Sequence, residues 1–181
     1  MAAKQNIYLI GPMGSGKTAV GRQLARDIGR DFYDSDREIE RRTGVEIALI
    51  FEKEGEDGFR QREREVIESL ATLDSAVIAT GGGAVLSETN RCHLQESGTV
   101  IYLETSVDEQ LRRTRRNRAR PLLQTDDPRA VLERLAILRK PLYESIAHIT
   151  LETGGQRVRA VAKAAREQLI ERGVLPAKKK P

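Results

Sequence analysis

The chain has 181 residues, 39% of them hydrophobic and 32% charged, with a net charge of +4, which suffices for one domain with a sizeable core and is short for two. No apolar run approaches the roughly 18 residues needed to cross a bilayer, and Met1 to Asn6 lead into only about five apolar residues before a glycine-rich turn, too few for a secretory h-region. A lone Cys92 excludes a disulfide framework and His93 and His148 add no metal-ligand spacing; the expectation is a monomeric cytoplasmic domain with no membrane partner and an inert thiol.

Strand-like runs alternate with helical patterns along the chain. Ile7 to Ile10 forms the first strand, followed by Gly11-Pro12-Met13-Gly14-Ser15-Gly16-Lys17-Thr18 and a helix over Lys17 to Ile28. Phe32-Tyr33 is the second strand, with helices expected over Arg37 to Arg42, Ile47 to Glu52 and Asp57 to Leu73. A third strand, Ala76 to Ala79, precedes a helix over Glu88 to Glu96; a fourth, Val100 to Leu103, precedes one over Val107 to Arg115. The basic stretch Arg115 to Asp127 lacks an apolar face and contains Pro121, so it reads as a loop, and its position makes it a lid candidate, bounded as 113–127. A helix over Pro128 to Arg139, a strand over His148 to Leu151 and a helix over Gln156 to Glu171 complete an α/β pattern: a parallel sheet with helices on both faces. Residues 1–173 are expected to form one domain, with residues 34–64 as acceptor-binding region and 174–181 as a basic, disordered tail.

Residues 11–18 satisfy G-x-x-x-x-G-K-[ST] between a strand and a helix, the context that makes the motif credible. Glycine lets the backbone curl so that successive amides of Gly14, Ser15, Gly16, Lys17, Thr18 and Ala19 face a phosphate, and the helix adds its positive end. Lys17 reaches the β and γ phosphates, and Thr18 offers a hydroxyl to Mg²⁺, a hard cation that prefers oxygen. The motif identifies a nucleotide site and leaves the acceptor open.

Asp34 and Asp36 follow the second strand at its carboxyl end, where open α/β sheets bind ligands. If the chain stays extended there, Asp34 leans toward Mg²⁺ and Asp36 toward an acceptor hydroxyl; alternatively Asp36 caps the next helix. Arg60 and Glu63 share a helix face, either as a carboxylate grip held rigid or as a solvated surface pair. Gly81-Gly82-Gly83 brings bare backbone to another strand end. Arg113 and Arg120 flank the lid, where arginine can stack on adenine or neutralise a transferring phosphoryl group, and Arg139 ends a helix whose dipole favours a cation.

Positive charge gathers at Arg112, Arg113, Arg115, Arg116, Arg118 and Arg120 and in Lys178 to Lys180. The chain has four tyrosines, three phenylalanines and no tryptophan, with none inside either cluster, so a base-stacking surface for nucleic acid is not expected.

In their order and separations, GPMGSGKT, FYDSD, GEDGFRQRE, ATGGGAV, RPLL and RKPLY resemble the motif set of the shikimate kinases, from Asn6 to Gln168. The resemblance implies a P-loop NTPase fold with a five-stranded parallel sheet of order 2-3-1-4-5 and phosphorylation of the shikimate 3-hydroxyl by ATP with Mg²⁺. It implies Asp36 as candidate base and holder of the acceptor hydroxyls, Arg60 and Arg139 on the shikimate carboxylate, and Gly82 as a backbone contact. Thr18 and Asp34 would serve Mg²⁺, Lys17 and Arg120 the phosphates, and Arg113 and Gln156 would border adenine. The chain departs from the family pattern at Lys140, where Asn is frequent, and beyond Gly173. A kinase of another acidic polyol such as gluconate, and a slow P-loop switch, are the competing readings.

Overall fold

The computed structural model describes residues 5–114 and 125–177. Five strands, β1 (Asn6–Ile10), β2 (Phe32–Asp34), β3 (Val77–Ala79), β4 (Gly98–Glu104) and β5 (Ile149–Glu152), form one parallel sheet of order β2-β3-β1-β4-β5. Of the three inner strands, β1 and β3 are buried at every position and β4 over Val100 to Leu103, as expected for a sheet covered on both faces. Side chains alternate along β1: Tyr8 and Ile10 enter one core and Ile7 and Leu9 the other.

The first core packs under α2 (Ser35–Thr43), α3 (Ile47–Ala71), α4 (Glu88–Ser97) and α6 (Pro128–Ile146). The second packs under α1 (Lys17–Ile28) and α7 (Val158–Glu171). α5 (Val107–Thr114) lies at the carboxyl end of β4, and a short 3-10 turn, Ala84–Leu86, follows β3.

The two helices expected over 47–52 and 57–73 are present as the two halves of α3, separated by a kink at Gly55, whose φ of 70° and ψ of −172° are not helical. Other elements differ from the sequence reading. α6 runs through Pro141 to Ile146, so Arg139 sits inside a helix and not at its end. The missing Pro141 amide costs α6 a hydrogen bond, and burial of Tyr143 and Ile146 on the same helix offsets it. The folded part does not stop at residue 173: Leu175 is buried in the second core and Val174 packs against it. Cys92 is exposed on α4. Residues 115–124, with Arg115, Arg116, Arg118 and Arg120, and Lys178 to Lys180 lie outside the described residues.

Candidate active site

The loop after β1 is shaped by glycines in backbone conformations that other residues rarely adopt. Gly11, Gly14 and Gly16 have φ of 144°, 77° and 92°, and at Gly11 a Cβ would fall 2.5 Å from the Leu103 carbonyl oxygen. At Gly14 it would meet α5, 3.3 Å from Gln110 Cα and Thr114 Cγ2. The loop is thus held between the end of β4 and α5. Lys17 Nζ donates to the Gly11 and Pro12 carbonyls at 2.8 Å each and lies 3.5 Å from the buried Ser15 Oγ. Among the described residues no side chain caps the start of α1, which leaves its first amides for an anion.

Thr18 Oγ1 donates to Asp34 Oδ2 at 2.6 Å, joining α1 to the end of β2. The other oxygen, Asp34 Oδ1, accepts from the Asp36 and Arg37 amides at 3.1 and 3.4 Å, so Asp34 is the N-cap of α2. The extended course expected through Asp36 is therefore wrong, and so is Asp36 as the cap: α2 begins at Ser35, and Asp36 lies in its first turn. A hydroxyl and a carboxylate in contact form a hard oxygen pair suited to Mg²⁺.

Turning into α2 brings Asp36 over the glycine run after β3. Ser35 Oγ accepts from the Gly81 amide at 2.9 Å. A Cβ at Gly81 would lie 2.7 Å from both Asp36 Oδ1 and Glu63 Oε1, so two carboxylates flank that bare Cα. The Gly82 carbonyl accepts from the Tyr143 hydroxyl at 2.5 Å, and the Arg60 guanidinium occupies the space a side chain at Gly83 would need.

Arg60 and Glu63 are not a solvated surface pair. Their side chains are 14% and 1% exposed, joined at 2.7 Å, with Glu56 adding a second contact to Arg60 at 3.1 Å. Burial raises the Glu63 pKa against the pull of Arg60 and, more weakly, Arg139. Arg139, 5% exposed, reaches the same turn from α6, with Nη1 3.6 Å from where a Gly82 Cβ would stand. Glu63 Oε1 and Arg139 Nε are buried without a hydrogen-bond partner among the described residues. Two arginines against a glycine turn, one carrying a spare buried donor, present a receptor for a carboxylate.

On the opposite side of the loop, Arg113 donates to the Gly14 carbonyl at 3.0 Å and to the Thr153 carbonyl at 2.6 Å. Gln156 lies in the turn after β5, before the start of α7; it is exposed, and its Nε2 donates to the Glu152 carbonyl at 2.8 Å. A cleft of about 310 Å³ is lined by Gly14, Gly16, Lys17, Thr18, Ala19, Asp34, Asp36, Gly82 and Arg113. Arg139 borders a neighbouring cavity of about 400 Å³ that shares Met13 with the cleft. The structure thus gathers most sequence-predicted residues around one opening. Arg120 lies outside the described residues.

Comparison with known proteins bears on this arrangement. A model of the shikimate kinase family matches residues 13–170. The chain belongs to the shikimate kinase family. The shikimate kinase of Pasteurella multocida (strain Pm70) is 57% identical over 163 residues, covering 90% of this chain and 93% of that protein. That of Shewanella sp. (strain ANA-3) is 53% identical over 169 residues, covering 93% and 99%. The solved shikimate kinase from Acinetobacter baumannii, in complex with shikimate, superposes with a TM-score of 0.91 at 48% identity, covering 94% of this chain and 95% of that one. The sheet order and flanking helices expected from the P-loop fold agree with this shikimate kinase neighbour.

Three supporting residues had no role in the sequence reading: Ser35, Tyr143 and Thr153. Ser35 sits between the two aspartates and Tyr143 closes the RKPLY motif, so both were in view without a partner. The bonds that define their roles span 46 and 61 residues, distances at which no local pattern operates.

Proposed function

We infer that this chain is a shikimate kinase, transferring the γ-phosphoryl group of ATP to the 3-hydroxyl of shikimate and releasing 3-phosphoshikimate and ADP. The observation that carries the reading is the convergence of Arg60 and Arg139 on the glycine turn beside Asp36, a turn that lies against the P-loop at Gly11 and Met13. An arginine pair supplies bidentate recognition of a planar carboxylate, and Asp36 orients the attacking hydroxyl and accepts its proton as the oxygen bonds to phosphorus. Gly82 contributes backbone contact to the acceptor.

In phosphoryl transfer the protein mainly aligns the reactants and stabilises charge. The P-loop amides from Gly14 to Ala19 and the Lys17 ammonium hold the phosphates. Lys17, already folded over the loop carbonyls, would exchange those acceptors for phosphate oxygens. Thr18, with Asp34 in support, would hold Mg²⁺, whose charge would offset that of the phosphates. Arg113 and Gln156 would border the adenine, and Arg120, outside the described residues, would serve the phosphates. The enzyme acts in the cytoplasm as a monomer, without nucleic-acid or membrane partners.

The test is ADP release from ATP and Mg²⁺ with shikimate, gluconate, nucleoside monophosphates or no acceptor. Release that depends on shikimate supports the reading; release independent of any acceptor would sink it. Asp36→Asn should abolish most shikimate-dependent turnover while leaving ADP affinity within about twofold, because the P-loop is untouched; normal kcat in that variant removes Asp36 from the chemistry.

A further inference from the structure

One guanidinium joins three parts of the nucleotide side. Arg113, in the last turn of α5, donates from Nη1 to the Gly14 carbonyl at 3.0 Å and to Thr153 Oγ1 at 3.3 Å, and from Nη2 to the Thr153 carbonyl at 2.6 Å. Its Nε lies 2.6 Å from Glu109 Oε1, one helical turn earlier. The P-loop, the turn after β5 and α5 therefore meet on one planar fork. The Thr153 carbonyl also accepts the Gln156 amide at 3.4 Å, so the same oxygen orients the turn that carries Gln156.

An arginine side chain is long and loses considerable rotamer freedom when ordered. Glu109 removes that freedom by taking the Nε edge, which leaves both Nη groups for Gly14 and Thr153. Glu109 is itself held from the solvent side, where the exposed Arg112 donates to its two oxygens at 2.9 and 2.6 Å. The Arg112 hydrogen bond, with the charge of Arg113, keeps the Glu109 carboxyl ionised, down to a pKa of about 2. α5 is also packed directly on Gly14, so the fork is pressed against the loop it bonds.

We propose that Glu109 is a positioning residue for nucleotide binding: through Arg113 it fixes the direction of the Gly14 carbonyl and the gap between the P-loop and the Thr153 to Gln156 turn. The proposal rests on the assignment of that cleft to ATP and adds a residue that touches no substrate. Loosening the fork acts on the nucleotide and leaves the acceptor arginines, on α3 and α6, where they are.

The experiment compares wild type with Glu109→Gln, Glu109→Asp, Thr153→Val and Arg112→Ala in steady-state kinetics with ATP and shikimate varied separately, in ADP-binding titrations and in thermal melts. Glu109→Gln should raise KM for ATP and Kd for ADP by about five- to tenfold, the scale of one partly exposed charge-assisted hydrogen bond. KM for shikimate should stay within about twofold, a split that general loosening would not give. Glu109→Asp, keeping the charge, should recover part of the loss; Thr153→Val, deleting only one Arg113 acceptor, should raise KM for ATP by about two- to threefold. Arg112→Ala, which removes only the solvent-side partner of Glu109, should raise KM for ATP in the same direction by about twofold, less than Glu109→Gln. A folded Glu109→Gln protein with unchanged KM for ATP and unchanged Kd for ADP overturns the proposal, as do equal losses for both substrates. Should Glu109→Gln fail to fold, an unchanged KM for ATP in Thr153→Val overturns it instead. Wild type that binds ADP and phosphorylates shikimate while Glu109→Gln behaves identically leaves the function standing and removes only Glu109.

Discussion

Replacing Gly81 by alanine tests the geometry of the acceptor side most directly. The backbone there cannot drift, because the Gly81 amide is bonded to Ser35 Oγ and its carbonyl accepts the Ala84 amide at 3.1 Å. The new methyl would stand 2.7 Å from Asp36 Oδ1 and from Glu63 Oε1, so each oxygen must retreat by about 0.7 Å to reach an ordinary contact of 3.4 Å. Glu63 has little room, being 1% exposed and bonded to Arg60, and its displacement passes to that arginine. Misplacing a reacting or positioning group by about 1 Å costs on the order of 10²-fold. With two groups moved by somewhat less, kcat/KM for shikimate should fall about 30- to 100-fold, or about 2 to 2.7 kcal/mol of transition-state stabilisation. Overpacking should cost about 1–3 kcal/mol of stability, while Kd for ADP should stay within about twofold, since no P-loop atom is displaced. Coupled kinetics, a nucleotide titration and a melting curve measure all three. Gly82→Ala is the folding control, since its Cβ would meet nothing nearer than 3.5 Å. A folded Gly81→Ala enzyme with kcat/KM for shikimate within about threefold of wild type would refute the claim that the bare Cα sets the two carboxylates.

Two further outcomes follow from other parts of the molecule. Asp34 has separable duties: Asp34→Asn keeps a good helix cap but loses the charge offered to Mg²⁺, so it should melt near wild type yet need more Mg²⁺ for half-maximal activity. Asp34→Ala should lose about 1 kcal/mol as well, and equal melting temperatures for the two variants would deny the cap. His148 Nδ1 accepts the Val100 amide at 3.0 Å, and burial, with repulsion from Arg172, lowers its pKa. A base depressed in the folded state contributes stability above the unfolded histidine value near 6.5 that is lost as pH falls through the folded one. Urea midpoints should therefore drop below about pH 6.5, and His148→Asn, whose amide oxygen can replace the imidazole nitrogen, should flatten that limb; parallel curves would exclude His148 as the origin.

The parallel sheet was legible because short apolar strand runs alternate with helix-length patterns and the P-loop marks the first strand's carboxyl end, whereas its strand order came only from the resemblance to the shikimate kinases. The start of α2 was not. A cap can be Asp34 or Asp36 by composition, and only the bond from Thr18 and the two amides on Asp34 decides between them. The end of α6 was misread for a related reason: Pro141 is a local stop signal, and the burial of Tyr143 and Ile146 that overrides it is a property of the assembled core. The arginines were recognisable as candidates, but their burial was not, since a sequence shows the pair Arg60 and Glu63 without the glycine turn that covers it.

Gly55 leaves α3 with a mechanical property that an unbroken helix would lack. Bending a continuous helix distorts a ladder of peptide hydrogen bonds, whereas here the ladder is already interrupted and the halves are braced by a strut, Arg62 donating to both oxygens of Glu54 at 2.8 and 2.6 Å. That strut is well exposed, so dissolved salt weakens it. The buried pair of Arg60 and Glu63 on the second half is shielded. Salt therefore acts on the brace across the break, while Ile50 in the core and the ring contact of Phe51 with Phe59 keep the two halves joined.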